Sequence, residues 1–388
     1  MLVAGEASGD VLGADLARAL RKRVGGGVRL IGVGGSCMAG EGIESPIDIS
    51  ALGVLGIFDG LRIYPTVLRL AARAAEFAAA EKPDAVVLID SWGFNLRVAH
   101  RLRRLRPAPL LIKYVAPQVW ATRPGRSRTL ARAVDRLLAI NAFDAPFFER
   151  EGLPVTFVGN PALKREFTKV DNGALVKRLG GNEGDPILLL LPGSRRGEVE
   201  RLLPHFEEAV GRLKAEWPRL RLIAAPAGSV SGIVTNHIKR WGHEVVLLED
   251  EGARLAGMRA ATVALACSGT VTTELAMAGC PVIVAYRLGP ATAIIARRLI
   301  RTRYITLFNV AAQGFVAPER VQEACTGEIL AQDISALLGD QPRRERQIAE
   351  QLAALRTMRG GIDDPIDAAA AAVLEALVPS TAGSVLAT

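Results

Sequence analysis

The chain has 388 residues, with 48 Lys and Arg against 40 Asp and Glu, a net charge of +8 and a pI near 9.6. This length exceeds one ordinary core and suits two domains, and a hydrophobic fraction of 49% is enough to fill both. The basic balance points to an anionic partner, whether phosphate, nucleic acid or a membrane surface. Cysteines at 37, 267, 280 and 325 show no CxxC or pairing pattern, which argues against a disulfide scaffold or zinc site and suits reduced cytosolic thiols.

The opening "MLVAGEASGD" lacks a basic region followed by a long apolar stretch, so no signal peptide is expected, and no later stretch reads as a spanning helix. Short apolar runs then alternate with amphipathic patterns, the rhythm of parallel strands joined by crossover helices. In the first half the predicted strands are 2–4, 29–33, 85–89, 110–115, 136–140 and 156–158. Helical patterns such as "GDVLGADLARALRKR" and "TVLRLAARAAEFAAAE" lie between them. The first strand keeps only three residues before its glycine, as it would if the start codon were placed late or the natural chain were longer. After a polar stretch at 169–186 a second series follows, with strands expected at 187–191, 220–224, 244–248, 263–266, 281–285 and 304–307.

These patterns predict an α/β chain of two doubly wound halves facing a central cleft. The expected divisions are 1–165, 166–340 and a helical segment 341–388 that packs back toward the first domain and ends in a frayed tail. Neither a solenoid repeat nor a low-complexity segment is visible.

The stretch "LLLLPGSRRGEVERLLPHF" (188–206) runs from apolar strand through Pro-Gly-Ser into a charged helix. In open α/β sheets ligands bind where strands end, and a helix N-terminus offers unpaired N–H groups and partial positive charge. Gly193 permits close backbone approach, Ser194 can cap or donate, and Arg195 and Arg196 add fixed charge. A diphosphate fits such a turn, while an ordinary turn with solvated arginines is the competing reading. A second turn, "ALACSGTVTTELAMAGCPVIVAY", places Ser268, Gly269 and Thr270 between strand and helix, with Glu274 one turn in. Its carboxylate can accept sugar hydroxyls, and the hydroxyls of Ser268 and Thr270 can donate to phosphate or ribose. No GxxxxGK[ST] and no strand-placed GxGxxG with a ribose acid occurs, which argues against a P-loop ATPase and a dehydrogenase. The four histidines have no nucleophile motif near them, so a hydrolase triad is unsupported.

The motifs "AGEASGDVLGADLARAL", "GVGGSCMAGEGIES", "YVAPQVWATRPGR", "LLPGSRRGEVERLLPHF", "CSGTVTTELAMAGCPVIVAYR" and "ARRLIRTRYITLFNV" occur in this order. Together they resemble the lipid-A-disaccharide synthase family, glycosyltransferase family 19, from about residue 3 to about residue 325. The resemblance implies a GT-B fold of two Rossmann-like domains. It also implies transfer of a diacylated glucosamine from its UDP donor to 2,3-diacylglucosamine 1-phosphate, with a β-1,6 bond formed, UDP released and no metal or other cofactor. On the donor side it implies Gly193, Ser194, Arg195, Ser268, Gly269, Thr270, Glu274 and Asn309, with Tyr286, Arg287 and Gln322. On the acceptor side it implies Asp90 as the base and Glu6 as a second catalytic group that orients acceptor or base. Asp10, Asn95 and Gln118 are further acceptor-side candidates, although Asp10 also reads as a helix N-terminal acid and Asn95 and Gln118 as side chains bonded to backbone.

This sequence departs from the family pattern at several places. Trp92 and Gly93 stand where the pattern has proline and a second aspartate, Thr122 where it has tryptophan, Asn160 where it has histidine, and Phe308 and Val310 where it has proline and leucine. The alternatives are a paralogue with another acceptor, a nucleotide-sugar epimerase, or an inactive homologue. The partners implied are the two acylated sugars and the cytoplasmic face of the inner membrane, with a homodimer left open. Aromatic residues are 5% of the chain and form no stacking pattern, so no nucleic-acid partner is expected.

Residues 51–75 combine Leu52, Val54, Leu55, Ile57, Phe58, Leu61, Ile63 and Tyr64 with Arg62, Arg69 and Arg73, a composition suited to a bilayer interface and equally to an amphipathic core helix with a basic rim. Replacing Ile57 and Phe58 with serine is predicted to release the protein from vesicles while sparing the fold. Unchanged co-sedimentation with vesicles would refute the interfacial reading.

Overall fold

The computed structural model describes the chain except for residues 50–51, 53–59, 121–124, 181, 183, 290–292, 294–301 and 379–388. It divides into two compact units: Met1–Pro161 together with the chain from Gly360 onward, and Ala162–Arg359.

In the first unit the apolar runs become β1 (Leu2–Ala4), β2 (Gly32–Val33), β3 (Ala85–Ile89), β4 (Leu110–Tyr114), β5 (Arg136–Ala139) and β6 (Val155–Phe157). All pair in parallel, in the order β2-β1-β3-β4-β5-β6. Every residue of β3 is buried, as expected of a strand covered by helices on both faces. Of the strand expected at 29–33 only Gly32–Val33 joins the ladder. The crossover helices are α1 (Ala7–Val24), α2 (Ser36–Gly40), α3 (Gly60–Glu81), α4 (Trp92–Leu102), α5 (Gly125–Ala131) and α6 (Ala145–Glu149). The described part of 51–75 that falls in α3 buries Val67, Leu70, Ala71, Ala74 and Ala75 in the first unit's core. Tyr64 stays exposed beneath the Arg97 guanidinium, 4.8 Å from its ring centroid. Ile57, Phe58 and the predicted frayed tail lie outside the described residues.

The second unit repeats the plan with β7 (Ile187–Leu191), β8 (Arg221–Ala224), β9 (Val246–Leu247), β10 (Val263–Cys267), β11 (Val282–Tyr286) and β12 (Glu319–Val321), in the order β12-β11-β10-β7-β8-β9. Its helices are α7 (Gly173–Leu179), α8 (Arg196–Glu216), α9 (Ser231–Ile238), α10 (Glu251–Ala260), α11 (Thr270–Ala278), α12 (Leu307–Ala312), α13 (Gly327–Gly339) and α14 (Gln341–Arg359). α8 buries Val199, Leu202, Leu203, Phe206, Ala209, Val210 and Leu213, one stripe at helical spacing.

The strand expected at 304–307 does not form, and the sixth strand is instead Glu319–Val321. The carboxylate of Glu319 accepts hydrogen bonds from the backbone N–H of Ile305 (2.9 Å) and Thr306 (2.8 Å), and from the Thr306 hydroxyl (2.7 Å). Those N–H groups serve the entry to α12 and cannot donate to a ladder. Asn309, wholly buried on α12, closes the same loop. Its Nδ2 donates to Ala317 O (2.9 Å) and Glu319 Oε1 (2.8 Å), and its Oδ1 accepts from the N–H of Val316 and Ala317.

The predicted C-terminal segment is split between the units. α14 packs on α11 and α12, with Gln347 and Gln351 donating to the carbonyls of Val282 and Cys280, so it belongs to the second unit. The last helix, α15 (Pro365–Leu377), packs on α1, where Arg23 pairs both guanidinium arms with Asp367 at 2.7 and 2.5 Å. Asn309→Ala would leave two N–H groups, a carbonyl and a carboxylate oxygen without its side chain, and is predicted to cost on the order of 2–4 kcal/mol in denaturant unfolding. A loss below about 0.5 kcal/mol would contradict this account of the loop.

Candidate active site

Each sheet has one place where strand order reverses, between β1 and β3 and between β7 and β10. There the flanking crossovers leave to opposite faces and open a crevice at the strand carboxyl ends.

In the second unit, Leu191, Gly193, Ser194, Arg195, Glu198, Ala225–Ala227, Arg254 and Cys267–Val271 line a cavity of about 390 Å³ at this point. The turn after β7 and the turn after β10 thus come together, presenting the N-termini of α8 and α11. Gly193 has φ +114, a conformation costly for residues with a Cβ, and a Cβ there would lie 3.3 Å from the Cys267 sulfur. Ser194 is held through its carbonyl by the Ser229 hydroxyl at 2.9 Å. The Arg195 side chain, 74% exposed, reaches Glu198 Oε1 at 3.0 Å, and this partner raises its pKa. The Tyr286 hydroxyl donates to the same oxygen at 3.3 Å, and its pKa is pushed up to about 12, by burial first and Glu198 second. Cys267 is buried and its thiol is pushed up to about 12, again mainly by burial, so it lines the cavity as a neutral group.

Glu274 sits one turn into α11 between two guanidinium groups, Arg165 at 2.8 Å and Arg254 at 2.7 Å. Lone pairs remain for a ligand hydroxyl, and Arg254 carries the charged pair to the cavity wall. Arg287 donates to Cys325 O at 2.9 Å, and the Gln322 amide oxygen accepts from the Leu288 N–H at 2.6 Å, so both side chains brace the backbone at the ends of β11 and β12 and neither lines this cavity. Asn309 is spent within its own loop and does not line the cavity. Glu198, Arg254 and Arg165 escaped the sequence analysis. Glu198 carried a signal, an acid in the first turn of a helix, whereas the two arginines look like ordinary surface residues.

In the first unit the β1–α1 and β3–α4 turns bring Glu6 and Asp90 to adjacent strand ends, since Ala4 pairs with Ile89. Ser8 donates to Asp90 Oδ2 at 3.2 Å. Asp90 and Ser91 have φ of +49 and +33, left-handed values rare for residues with a Cβ. Asn95, 1% exposed, braces this turn by donating to Ile89 O (2.7 Å) and Asp90 O (3.0 Å). Glu6 also lines a cavity of about 740 Å³ with Asp10, Gly34–Ser36 and Glu44–Ser45 among others, whereas Asp90 is not among its lining residues. Asp10 accepts from the N–H of Gly35 (2.7 Å), Cys37 (2.8 Å) and Met38 (3.1 Å), so it anchors the start of α2 as well as lining the cavity. A Cβ at Gly35 would come within 2.8 Å of Asp10 Oδ2. Gln118 is exposed in the loop after β4 and does not line this cavity. Gly93 lies exposed in the first turn of α4, where a Cβ would meet nothing within 4 Å, so the position has room for a side chain.

The lipid-A-disaccharide synthetase family model matches residues 1–371. Lipid-A-disaccharide synthase of Rhodospirillum centenum is 38% identical over 97% of this chain and 94% of its own length. That of Rhodopseudomonas palustris strain BisB18 is 39% identical over 98% and 96%. Among solved structures, the UDP-GlcNAc 2-epimerase of Neisseria meningitidis bound to UDP-GlcNAc aligns over 97% of this chain and 98% of its own, with TM-score 0.60 and 13% identity, a likeness of fold. The two doubly wound parallel sheets of GT-B type and the near full-length match agree: the chain belongs to the lipid-A-disaccharide synthase family of glycosyltransferases.

Proposed function

We propose that this protein moves 2,3-diacylglucosamine from its UDP donor to 2,3-diacylglucosamine 1-phosphate, forming the β-1,6-linked disaccharide 1-phosphate and UDP with inversion. The observation that carries this reading is the cavity at the β7/β10 reversal, where Gly193–Arg195 and Ser268–Thr270 meet at two helix N-termini. Backbone N–H groups there suit a diphosphate, and Arg195 adds charge that stabilises it as it leaves. Glu274 suits the ribose hydroxyls, with Arg254 fixing its carboxylate. Tyr286 joins the pocket through its bond to Glu198, Arg287 and Gln322 are the further donor-side groups of this reading, and Asn309 braces the 309–319 loop.

On the acceptor side Asp90 takes the proton from the primary hydroxyl as that oxygen attacks the anomeric carbon. The bond from that carbon to the diphosphate breaks, and its electron pair leaves with UDP. Glu6 and Ser8 orient the acceptor and the base, and Asn95 holds the turn that carries Asp90. Asp10 shapes the acceptor cavity, and Gln118 lies on the loop beyond it.

The acyl chains of these substrates require a membrane surface, which this reading takes to be the cytoplasmic face of the inner membrane, the protein attaching peripherally. Among the described residues no helix is long and apolar enough to cross a membrane. A homodimer is compatible with this reading but not required by it. Trp92 and Gly93 favour one second reading, a paralogue with the same donor and a different acceptor, which product analysis with alternative acceptors would reveal.

Asp90→Asn is predicted to lower kcat by about 10²- to 10⁴-fold with UDP affinity unchanged. Full turnover by this variant would remove Asp90 from the role of base. Arg195→Gln is predicted to weaken UDP binding about tenfold or more by calorimetry, the loss of one charge-assisted contact. Equal affinity in wild type and variant would place the diphosphate elsewhere.

A further inference from the structure

Lys113 is a charged residue in the middle of an apolar strand, 3% exposed, and no step of the proposed reaction uses it. Its Nζ donates to Leu88 O at 3.2 Å, to Tyr114 O at 3.1 Å, and to the carbonyl of Asp90. An ammonium has three N–H donors and here finds three acceptors, two of which are shared, Tyr114 O with the Asp90 N–H and Asp90 O with Asn95 Nδ2; a neutral amine has two donors and would give up one of the three contacts. Around this point the backbone is strained at Asp90, Ser91 and the β-branched Val115, whose φ is +71. Asn95 shares the Asp90 carbonyl from the other side, so a lysine and an amide together clamp the ends of β3 and β4.

We propose that Lys113 is a positioning residue for the transfer reaction, its buried ammonium holding the strained Asp90 turn in place so that the Asp90 carboxylate is aimed for proton abstraction. The inference rests on the reading of Asp90 as the base. Methionine at this position would lose the hydrogen bond to the Asp90 carbonyl, the two to Leu88 O and Tyr114 O at the ends of β3 and β4, and the positive charge that interacts with Asp90 and Glu6. Those acids, Glu6 from the β1–α1 turn and Asp90 from the β3–α4 turn, are the charged groups that bear on Lys113, and α4 contributes neutral Asn95. Burial pushes the Lys113 ammonium down to about 8, with Asp90 and then Glu6 pulling the other way. The charge is therefore complete below that pH and is lost as pH rises through it, and turnover is expected to fall over the same range.

Two measurements test this. In the first, Lys113→Met is compared with wild type for disaccharide synthesis across pH 6 to about 10, with Lys113→Gln, which keeps two donors without the charge, as a second variant. A kcat lowered about tenfold to a hundredfold, donor affinity unchanged, and a basic limb near pH 8 that vanishes in Lys113→Met would support the role. Wild-type kcat with the limb intact in either variant would overturn it. The second needs no change at Lys113: side-chain nitrogen NMR of ¹⁵N-lysine-labelled protein, with and without Asp90→Asn. Support is a titration near 8 that moves lower when the Asp90 charge is removed; an ordinary lysine midpoint, or no response to Asp90→Asn, would overturn the coupling. A wild type that forms no disaccharide while the NMR coupling holds would count against the proposed reaction and leave the clamp standing.

Discussion

A parallel sheet sends every strand's carboxyl end to one edge, and only where strand order reverses do the following helices leave to opposite faces. That constraint creates both candidate sites. The helix N-termini then point N–H groups at the crevice without any specialised side chain, and Gly193 and Gly269 leave room for a close approach to that backbone.

The two crevices handle charge in contrasting ways. In the second unit, positive groups line the rim: Arg195 is largely exposed, and Arg254 and Arg165 bracket Glu274 beside the cavity. In the first unit, two charges, Asp10 and Lys113, are buried and tied to backbone, while Glu6 and Asp90 are half-buried. Asp10 accepts three N–H groups and Lys113 serves three carbonyls. Such pairing offsets the desolvation that would otherwise neutralise them. It also makes the left-handed backbone at Asp90 and Ser91 tenable, since the carbonyls on both sides of the turn are claimed by fixed donors.

Several elements were legible from residues alone. Unbroken apolar runs such as 85–89 and 187–191 became fully buried central strands, and the turn at 192–195 and the turn at 268–270 were recognisable from glycine and hydroxyl chemistry. Edge elements were not. "ERV" at 319–321 has no apolar run and is a strand only because β11 offers it a ladder, while 304–306 has β-type residues whose N–H groups are taken by Glu319. The role of Asn309 followed the same pattern: its side chain is fully used by a loop that local pattern does not reveal.

The sequence by itself determined which segments are strands and helices in the two cores, where close-approach glycines fall, and which family the chain resembles, because these depend on periodicity and on the chemistry of contiguous residues. Only the tertiary structure decided the strand order, the partition of the last two helices between the units, and the meeting of Glu274 with Arg165 and of Lys113 with the Asp90 turn. Those pairings join residues tens to more than a hundred positions apart, and their energies arise from burial and desolvation that exist only once the sheets are assembled.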